Sequence, residues 1–235
     1  MKIFFDGFSI IFMTTMIWNL FRREKNVLFI WLPKTAGSSI YHALRKTRCK
    51  CRKLINTEKN GIIESPYTDF DNKGAVTFSH TSIDALLQNG IIHKEFFENS
   101  FKFCFVRNPW DRLVSLFFYR KLNNKYKDFK EFCLDFKDWE IEPIGLFNSR
   151  LNSQFNDQVS WLIDEKGRLL VDFIGRFERL EEDFSKICHI LRVRNTLPHR
   201  NRSNHSAYRE YYDGTSIEIV RNKYIREVEF FGYDF

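Results

Sequence analysis

A lysine, a glycine and two serines directly follow an apolar run, and together they have the composition of an anion site. Residues 27–32, VLFIWL, have the aromatic and β-branched content of a buried strand, and residues 33–39, PKTAGSS, predict a sharp turn into a helix. The first N–H groups of a helix lack intrahelical partners, and the helix dipole places positive charge at the same end. Lys34 adds a full positive charge. This segment therefore predicts a site for a phosphate or a chemically similar group.

A second group of polar residues, residues 107–115 with the sequence RNPWDRLVS, follows another apolar run. We expect Arg107 to leave the carboxyl end of a strand, where open parallel sheets bind their ligands, and the Asn-Pro pair after it to begin a helix. Ser115 comes two helical turns later, so a phosphate can bridge its hydroxyl and the long Arg107 side chain. If the two strands are neighbours, Arg107 and Lys34 face one crevice.

Strand-like runs alternate with helical patterns along the chain, without repeats or a dividing linker. This alternation predicts a single α/β domain over residues 26–235, preceded by a separate apolar segment over residues 1–25. The predicted strands cover residues 27–32, 75–78, 101–106 and 169–175, and the predicted helices cover residues 81–88, 109–122, 180–192 and 215–231.

The composition narrows the classes of partner. The chain has 235 residues, 43% of them hydrophobic, and a formal net charge of +7, so it can bury one substantial core and favours an anionic partner. Charge alone does not separate a nucleotide from a glycan, a nucleic acid or a membrane surface. The five cysteines lack the spacing of a zinc site or a disulfide framework, which favours a reducing compartment and predicts no metal site.

The N-terminal segment contains an apolar stretch at residues 8–21 that is short for a membrane span. No small-residue cleavage site follows it, which argues against a signal peptide. Two arginines and a lysine come next, and in an inserted segment they would keep the rest of the chain on the cytoplasmic side. A packed or interfacial helix, a membrane anchor through residues 3–21, and a disordered segment stay open.

The PKTAGSS and RNPWDRLVS segments together resemble the sulfotransferases that use 3′-phosphoadenosine 5′-phosphosulfate (PAPS). The resemblance is to the carbohydrate sulfotransferases, which include the heparan sulfate 2-O-sulfotransferases and small bacterial relatives. It runs from about residue 27 to the C-terminus and includes DFIGRFE at residues 172–178 and the closing FFGYDF. It implies a P-loop-like, three-layer α/β fold with a central, mostly parallel sheet flanked by helices. It assigns the 5′-phosphosulfate to Pro33, Lys34, Thr35, Ala36, Gly37, Ser38 and Ser39, and the 3′-phosphate to Arg107 and Ser115.

The resemblance also implies a reaction, in which a sulfuryl group passes in line from PAPS to a hydroxyl group of a carbohydrate or glycolipid; nucleic acid is not an expected partner. Lys34 would neutralise the charge that develops on the leaving nucleotide. The acceptor hydroxyl needs a base, and His80, in a loop between the two cofactor segments, is the candidate catalytic residue beside Lys34. Positioning and electrostatics dominate such transfers, and no divalent metal is expected.

A third loop, residues 197–208, is rich in basic and hydroxyl side chains. Similar loops in the family lie over the nucleotide, and the resemblance therefore adds Arg202 and Ser203 as donor contacts. Arg112, in contrast, is expected to be solvated or ion-paired rather than to contact a ligand.

Two other functional classes stay open. A P-loop kinase or NTPase also binds an anion at a strand-to-helix turn, but here Lys34 precedes Gly37 and no Gly-Lys-Ser/Thr triplet occurs. A polyanion-binding module without enzymatic activity needs only a positive patch. The expected location is the cytoplasm, with contact to the inner face of a membrane, and a Golgi-type membrane protein is the alternative.

Overall fold

The structure is a computed structural model that describes residues 26–53, 74–78, 80–144, 152–198 and 206–235. Within these ranges the chain forms a five-stranded sheet with helices packed on both faces. The predicted N-terminal segment, residues 1–25, lies outside the described residues.

The central sheet is parallel, and its strands are β1 (Asn26–Ile30), β2 (Arg52–Lys53), β3 (Ala75–Thr77), β4 (Ser100–Val106) and β5 (Phe173–Arg176). Their order across the sheet is β2-β3-β1-β4-β5. Strand β1 pairs with both β3 and β4, and Ile30 lies opposite Cys104. Since parallel strands end at the same edge, the segments that follow β3, β1 and β4 are neighbours there.

The helices of the described ranges are α1 (Gly37–Arg45), α2 (Ile83–Gln88), α3 (Lys94–Asn99), α4 (Pro109–Tyr119), α5 (Phe129–Phe136), α6 (Leu180–Ile190), α7 (Gly214–Lys223) and α8 (Ile225–Phe231). Short 3₁₀ turns lie at Leu122–Asn124, Asn152–Phe155, Val159–Trp161, Phe177–Arg179 and Tyr208–Tyr211. None of the helices in this part of the chain has the length and apolar character that crossing a bilayer requires.

Alternate side chains of the strands face two hydrophobic layers. On one face, the rings of Phe29 and Phe103 stack with their centroids 4.9 Å apart, in a cluster that includes residues of α1 and α6. On the other face, Leu28 and Ile30 join a cluster formed with α2, α4 and α8. Strands β1 and β4 are therefore buried along their whole length, which is why they appear in the sequence as largely apolar runs.

The predicted α/β fold with a central parallel sheet is confirmed, although three of the four predicted strands are shorter than predicted, the last of them most of all. The strand predicted over residues 169–175 begins only at Phe173. Leu169 instead pairs with Ile163 in an isolated antiparallel bridge outside the sheet. The short strand β2 and the helices α3 and α5 were not predicted.

The helix predicted over residues 215–231 is two helices that meet at Tyr224. This residue has φ −114° and ψ 25°, which ends the helical geometry of α7 before α8 begins. Its buried side chain is fixed from elsewhere, because the hydroxyl donates a hydrogen bond to the Phe155 carbonyl at 2.8 Å. A contact between residues so far apart in sequence does not change the local apolar pattern, so the break at Tyr224 could not be predicted from that pattern.

Candidate active site

The loop between β1 and α1 has two residues in the left-handed region of backbone space. Lys34 and Ala36 have φ angles of 65° and 64°. Such angles cost non-glycine residues on the order of 1–3 kcal/mol and persist only where the surrounding structure imposes them. The buried Thr35 between them donates a hydrogen bond from Oγ1 to the Leu32 carbonyl at 3.1 Å, and Pro33 is buried as well. The Thr35 side chain therefore stabilises the turn itself.

Gly37 begins helix α1 at a position where no side chain fits, since a Cβ atom there would overlap the indole of Trp31. Ala36 has no side chain that caps the helix, and the first turn contains no acidic residue. The Ser39 amide donates to the Ala36 carbonyl at 2.9 Å, whereas the amides of Gly37 and Ser38 come too early in the helix for an intrahelical partner. This helix end has the donors and the dipole that an anion requires.

Lys34 is a partly buried cation beside this helix end. Burial lowers its pKa to about 8, and the charge of Arg107 acts in the same direction. Its Nζ lies 4.1 Å from the centroid of the Tyr119 ring. No carboxylate of the described residues forms an ion pair with Lys34. An anionic ligand would supply that missing counter-charge and would return the pKa towards its ordinary value.

Arg107 meets the Lys34 loop directly. Its Nη1 donates to the Lys34 carbonyl at 3.2 Å, which joins the carboxyl ends of the neighbouring strands β4 and β1. Its Nε and Nη2 donate to the two carboxylate oxygens of Asp111 at 2.8 and 2.7 Å, and the guanidinium lies 4.0 Å from the centroid of the Phe177 ring. The structure thus brings together the two segments that the sequence analysis singled out.

Asp111 and Ser115 are four residues apart in α4 and therefore lie on the same face of this helix. Ser115 is buried, and Asp111 lies between it and Arg107 in the sequence. Asp111 was not among the predicted site residues, although its spacing of four residues from Arg107 is typical of helical ion pairs. Arg112 has a separate role, because its buried guanidinium pairs with the buried carboxylate of Glu227 at 3.0 Å. It is ion-paired, as predicted.

His80 follows β3 on the other side of the Lys34 loop. Its Nδ1 lies 3.1 Å from the Trp31 carbonyl, and because a carbonyl only accepts hydrogen bonds, Nδ1 carries the proton and Nε2 the lone pair. Burial lowers the pKa of His80 to about 4; the charges of Lys53 and Lys34 also lower it, against the effect of the Trp31 hydrogen bond. The imidazole is therefore neutral at pH 7, in the state that can accept a proton.

Lys53, at the end of β2, is a basic residue that the sequence analysis missed. Its Nζ lies 4.7 Å from the centroid of the Trp31 ring, and burial lowers its pKa. The strand order therefore places Lys53, His80, Lys34 and Arg107 along one edge of the sheet. This edge combines three basic side chains with a neutral imidazole, which suits an anionic ligand next to a group that must lose a proton.

The sequence matches the sulfotransferase family over residues 19–234. The chain belongs to the sulfotransferase family. An uncharacterised protein of Archaeoglobus fulgidus is 33% identical to it over 97 residues, which are 41% of this chain and 71% of the relative. The crystal structure of a sulfotransferase from Alicyclobacillus acidocaldarius aligns with a TM-score of 0.42 and 13% identity, over 91% of this chain and 98% of that chain.

Membership of this family confirms the predicted resemblance and identifies the chain as a transferase. The parallel sheet flanked by helices is the P-loop-like α/β arrangement that the resemblance implied. Arg202 and Ser203, the two donor contacts predicted in the third loop, lie outside the described residues.

Proposed function

We propose that this protein transfers a sulfuryl group from PAPS to a hydroxyl group of a carbohydrate or glycolipid. The observation that carries the proposal is the hydrogen bond from Arg107 to the Lys34 carbonyl, at 3.2 Å. It makes one basic site from a helix N-terminus after β1 and an arginine after β4. A donor with phosphate groups on both the 3′ and the 5′ oxygen of its ribose needs two such anion contacts within one crevice.

The residues present fit such a donor. The Lys34 loop and the first amides of α1 would hold the 5′-phosphosulfate, where the absence of an acidic residue from the first turn of α1 avoids repulsion. Arg107 and Ser115 would hold the 3′-phosphate. A guanidinium has five N–H groups, and three of those on Arg107 are used by Asp111 and the Lys34 carbonyl. The remaining N–H groups can donate to a phosphate.

In the proposed reaction, the donor, Lys34 and His80 each have a separate role. The bound donor supplies the activated sulfuryl group. Lys34 stabilises the negative charge that develops on the 5′-phosphate of the leaving nucleotide as its bond to the sulfuryl group breaks. His80 Nε2 accepts the proton of the acceptor hydroxyl, because the Trp31 carbonyl fixes the tautomer that has its lone pair there.

The same residues favour this function over nucleotide hydrolysis by a P-loop enzyme. A Walker A loop has its lysine directly after the second glycine and before Ser or Thr, so that the lysine reaches the β- and γ-phosphates. Here Lys34 comes three residues before Gly37, in a left-handed conformation within the turn. The lysine is thus displaced from the position that Walker A chemistry uses.

We place the enzyme in the cytoplasm, with residues 3–21 contacting the inner face of a membrane, because two arginines and a lysine follow that apolar stretch. Fractionation of cells that express the full chain and a chain lacking residues 1–25 tests this, since only the full chain should sediment with membranes. Equal distribution of both chains would contradict the membrane contact.

A transfer assay with radiolabelled PAPS, a panel of glycans and a metal chelator tests the proposed activity. We expect a labelled glycan, and we expect Lys34→Ala to lower its rate of formation at least about a hundredfold. Lys46→Ala is the matched control, because Lys46 is an exposed lysine at the other end of α1 and should leave the rate unchanged.

Two results would refute the proposal. Magnesium-dependent ATP turnover without sulfate transfer would indicate the P-loop NTPase class. Salt-sensitive glycan binding, without transfer and without affinity for adenosine 3′,5′-bisphosphate, would indicate a binding module.

A further inference from the structure

Gln158 is a fully buried polar residue, with 0% of its surface exposed, that touches the main chain of Arg107. Its Oε1 accepts a hydrogen bond from the Arg107 amide at 2.9 Å, and its Nε2 donates to the Arg107 carbonyl at 2.7 Å. These two bonds satisfy both main-chain polar groups of one residue. The side chain of Gln158 thus makes the two main-chain hydrogen bonds that a neighbouring strand would otherwise make with Arg107.

Arg107 needs such a partner because it lies just beyond the sheet. Strand β4 ends at Val106, which is the last residue of β4 opposite a residue of β5. The following Asn108 is already the N-cap of α4. Arg107 is therefore the single residue between the strand and the N-cap of the helix, and its backbone direction determines where the guanidinium lies.

The orientation of the Gln158 amide is fixed by a third contact. Its Nε2 also donates to Glu227, whose other carboxylate oxygen pairs with Arg112 at 3.0 Å. The Arg107 carbonyl can only accept and the Arg107 amide can only donate, so the amide nitrogen of Gln158 must face that carbonyl and its oxygen must face that amide; Glu227 then accepts the second N–H of the amide nitrogen. The buried Arg112–Glu227 pair thereby holds Gln158 in the one orientation that serves Arg107.

We propose that Gln158 is a positioning residue for nucleotide binding: it fixes the backbone of Arg107 and so directs the guanidinium at the 3′-phosphate. The inference rests on the proposed function, in which Arg107 contacts that phosphate. It predicts that the loss of Gln158 weakens the binding of the 3′-phosphate but not the binding of the 5′-phosphate. A residue that merely supports the fold would affect affinity for every nucleotide alike.

The test compares the affinities of two nucleotides by calorimetry. Gln158→Met keeps the length of the side chain and removes its hydrogen bonds. We expect affinity for adenosine 3′,5′-bisphosphate to fall about tenfold, the value of one weakened hydrogen bond to a charged group, while affinity for adenosine 5′-phosphate changes less than about twofold. Gln154→Met is the matched control, because Gln154 is equally buried but makes no hydrogen bond to Arg107.

A double-mutant cycle separates positioning from a direct effect. If Gln158 acts through Arg107, then Gln158→Met in an Arg107→Ala background should change bisphosphate affinity less than about twofold. An equal loss for both nucleotides, a loss that persists without the Arg107 side chain, or the same selective loss in Gln154→Met would overturn the inference. If the wild-type chain binds neither nucleotide, the proposed function itself fails, which is a different result from a wild type that binds and a variant without selectivity.

Thermal unfolding decides which variant carries the test. If Gln158→Met does not unfold cooperatively, Gln158→Asn replaces it, since asparagine keeps a buried amide but is one methylene too short to reach both Arg107 groups. The same selective loss is then expected. Failure of both variants to fold would show that Gln158 supports the fold as a whole, and would overturn a role specific to Arg107.

Discussion

Nucleotide binding should weaken above pH 8 because Lys34 loses its charge there. Burial and the nearby Arg107 lower the pKa of Lys34 to about 8, so the side chain is charged below that pH and neutral above it. Binding of an anion favours the charged form, and the free protein must therefore take up a proton to bind at high pH. Between pH 7 and pH 10 the charged fraction falls from roughly nine-tenths to roughly one-hundredth, which lowers affinity about a hundredfold.

Calorimetric titration with adenosine 3′,5′-bisphosphate across this range measures the effect. The phosphate groups lose their last protons with a pKa of about 6, and the pKa of His80 is about 4, so neither titrates in the window. Lys34→Arg is the control, because a guanidinium stays charged throughout, so its variant should show a much smaller decline, which includes any contribution from Lys53, whose pKa burial also lowers. The reasoning is refuted if the wild-type affinity is constant up to pH 10, or if Lys34→Arg shows the same decline while thermal unfolding shows that both proteins stay folded.

Further predictions concern the remaining groups of the site and its support. Arg107→Ala should mainly weaken donor binding, since a phosphate contact is present in ground and transition states alike; a lower turnover number with unchanged donor affinity would contradict that role. His80→Ala should lower turnover at least about a hundredfold and leave nucleotide affinity intact; near-normal turnover in the transfer assay would remove its assignment as the base. Arg112→Met should cost about 3–5 kcal/mol of unfolding free energy, because it removes the cationic partner of the buried Glu227 carboxyl, whose pKa burial already raises to about 7, whereas the double variant with Glu227→Leu should recover much of that loss. Denaturant titration measures both, and strictly additive losses would show that the two side chains do not interact.

The segments that carry the chemistry could be predicted because their signals are local. The run before Lys34 is continuously apolar, and the run before Arg107 is interrupted only by Lys102, since both strands are buried on both faces. A proline, a glycine and serines in one place, and an Asn-Pro pair in the other, mark where each strand ends. The sequence does not show that these strands are neighbours, so a shared crevice could be predicted only on that condition. The strand order, in which β1 lies beside β4, meets the condition.

The groups that hold those segments in position could not be predicted, because their partners are distant in the chain. Gln158 meets Arg107 across 51 residues, and Glu227 meets Gln158 across 69. A glutamine in a stretch of mixed pattern carries no sign of such a role. Lys53 was missed for another reason: its strand has two residues and thus no periodicity to detect.

Trp31 contacts several parts of the site at once. Its ring leaves no space for a side chain at Gly37 and lies beneath the Lys53 ammonium, while its carbonyl holds His80. Indole emission responds to charges and polar groups nearby, so a ligand that settles on the adjoining loop should alter the fluorescence of the native chain. The intrinsic fluorescence of Trp31 can therefore be used to titrate donor analogues before any acceptor sugar has been identified.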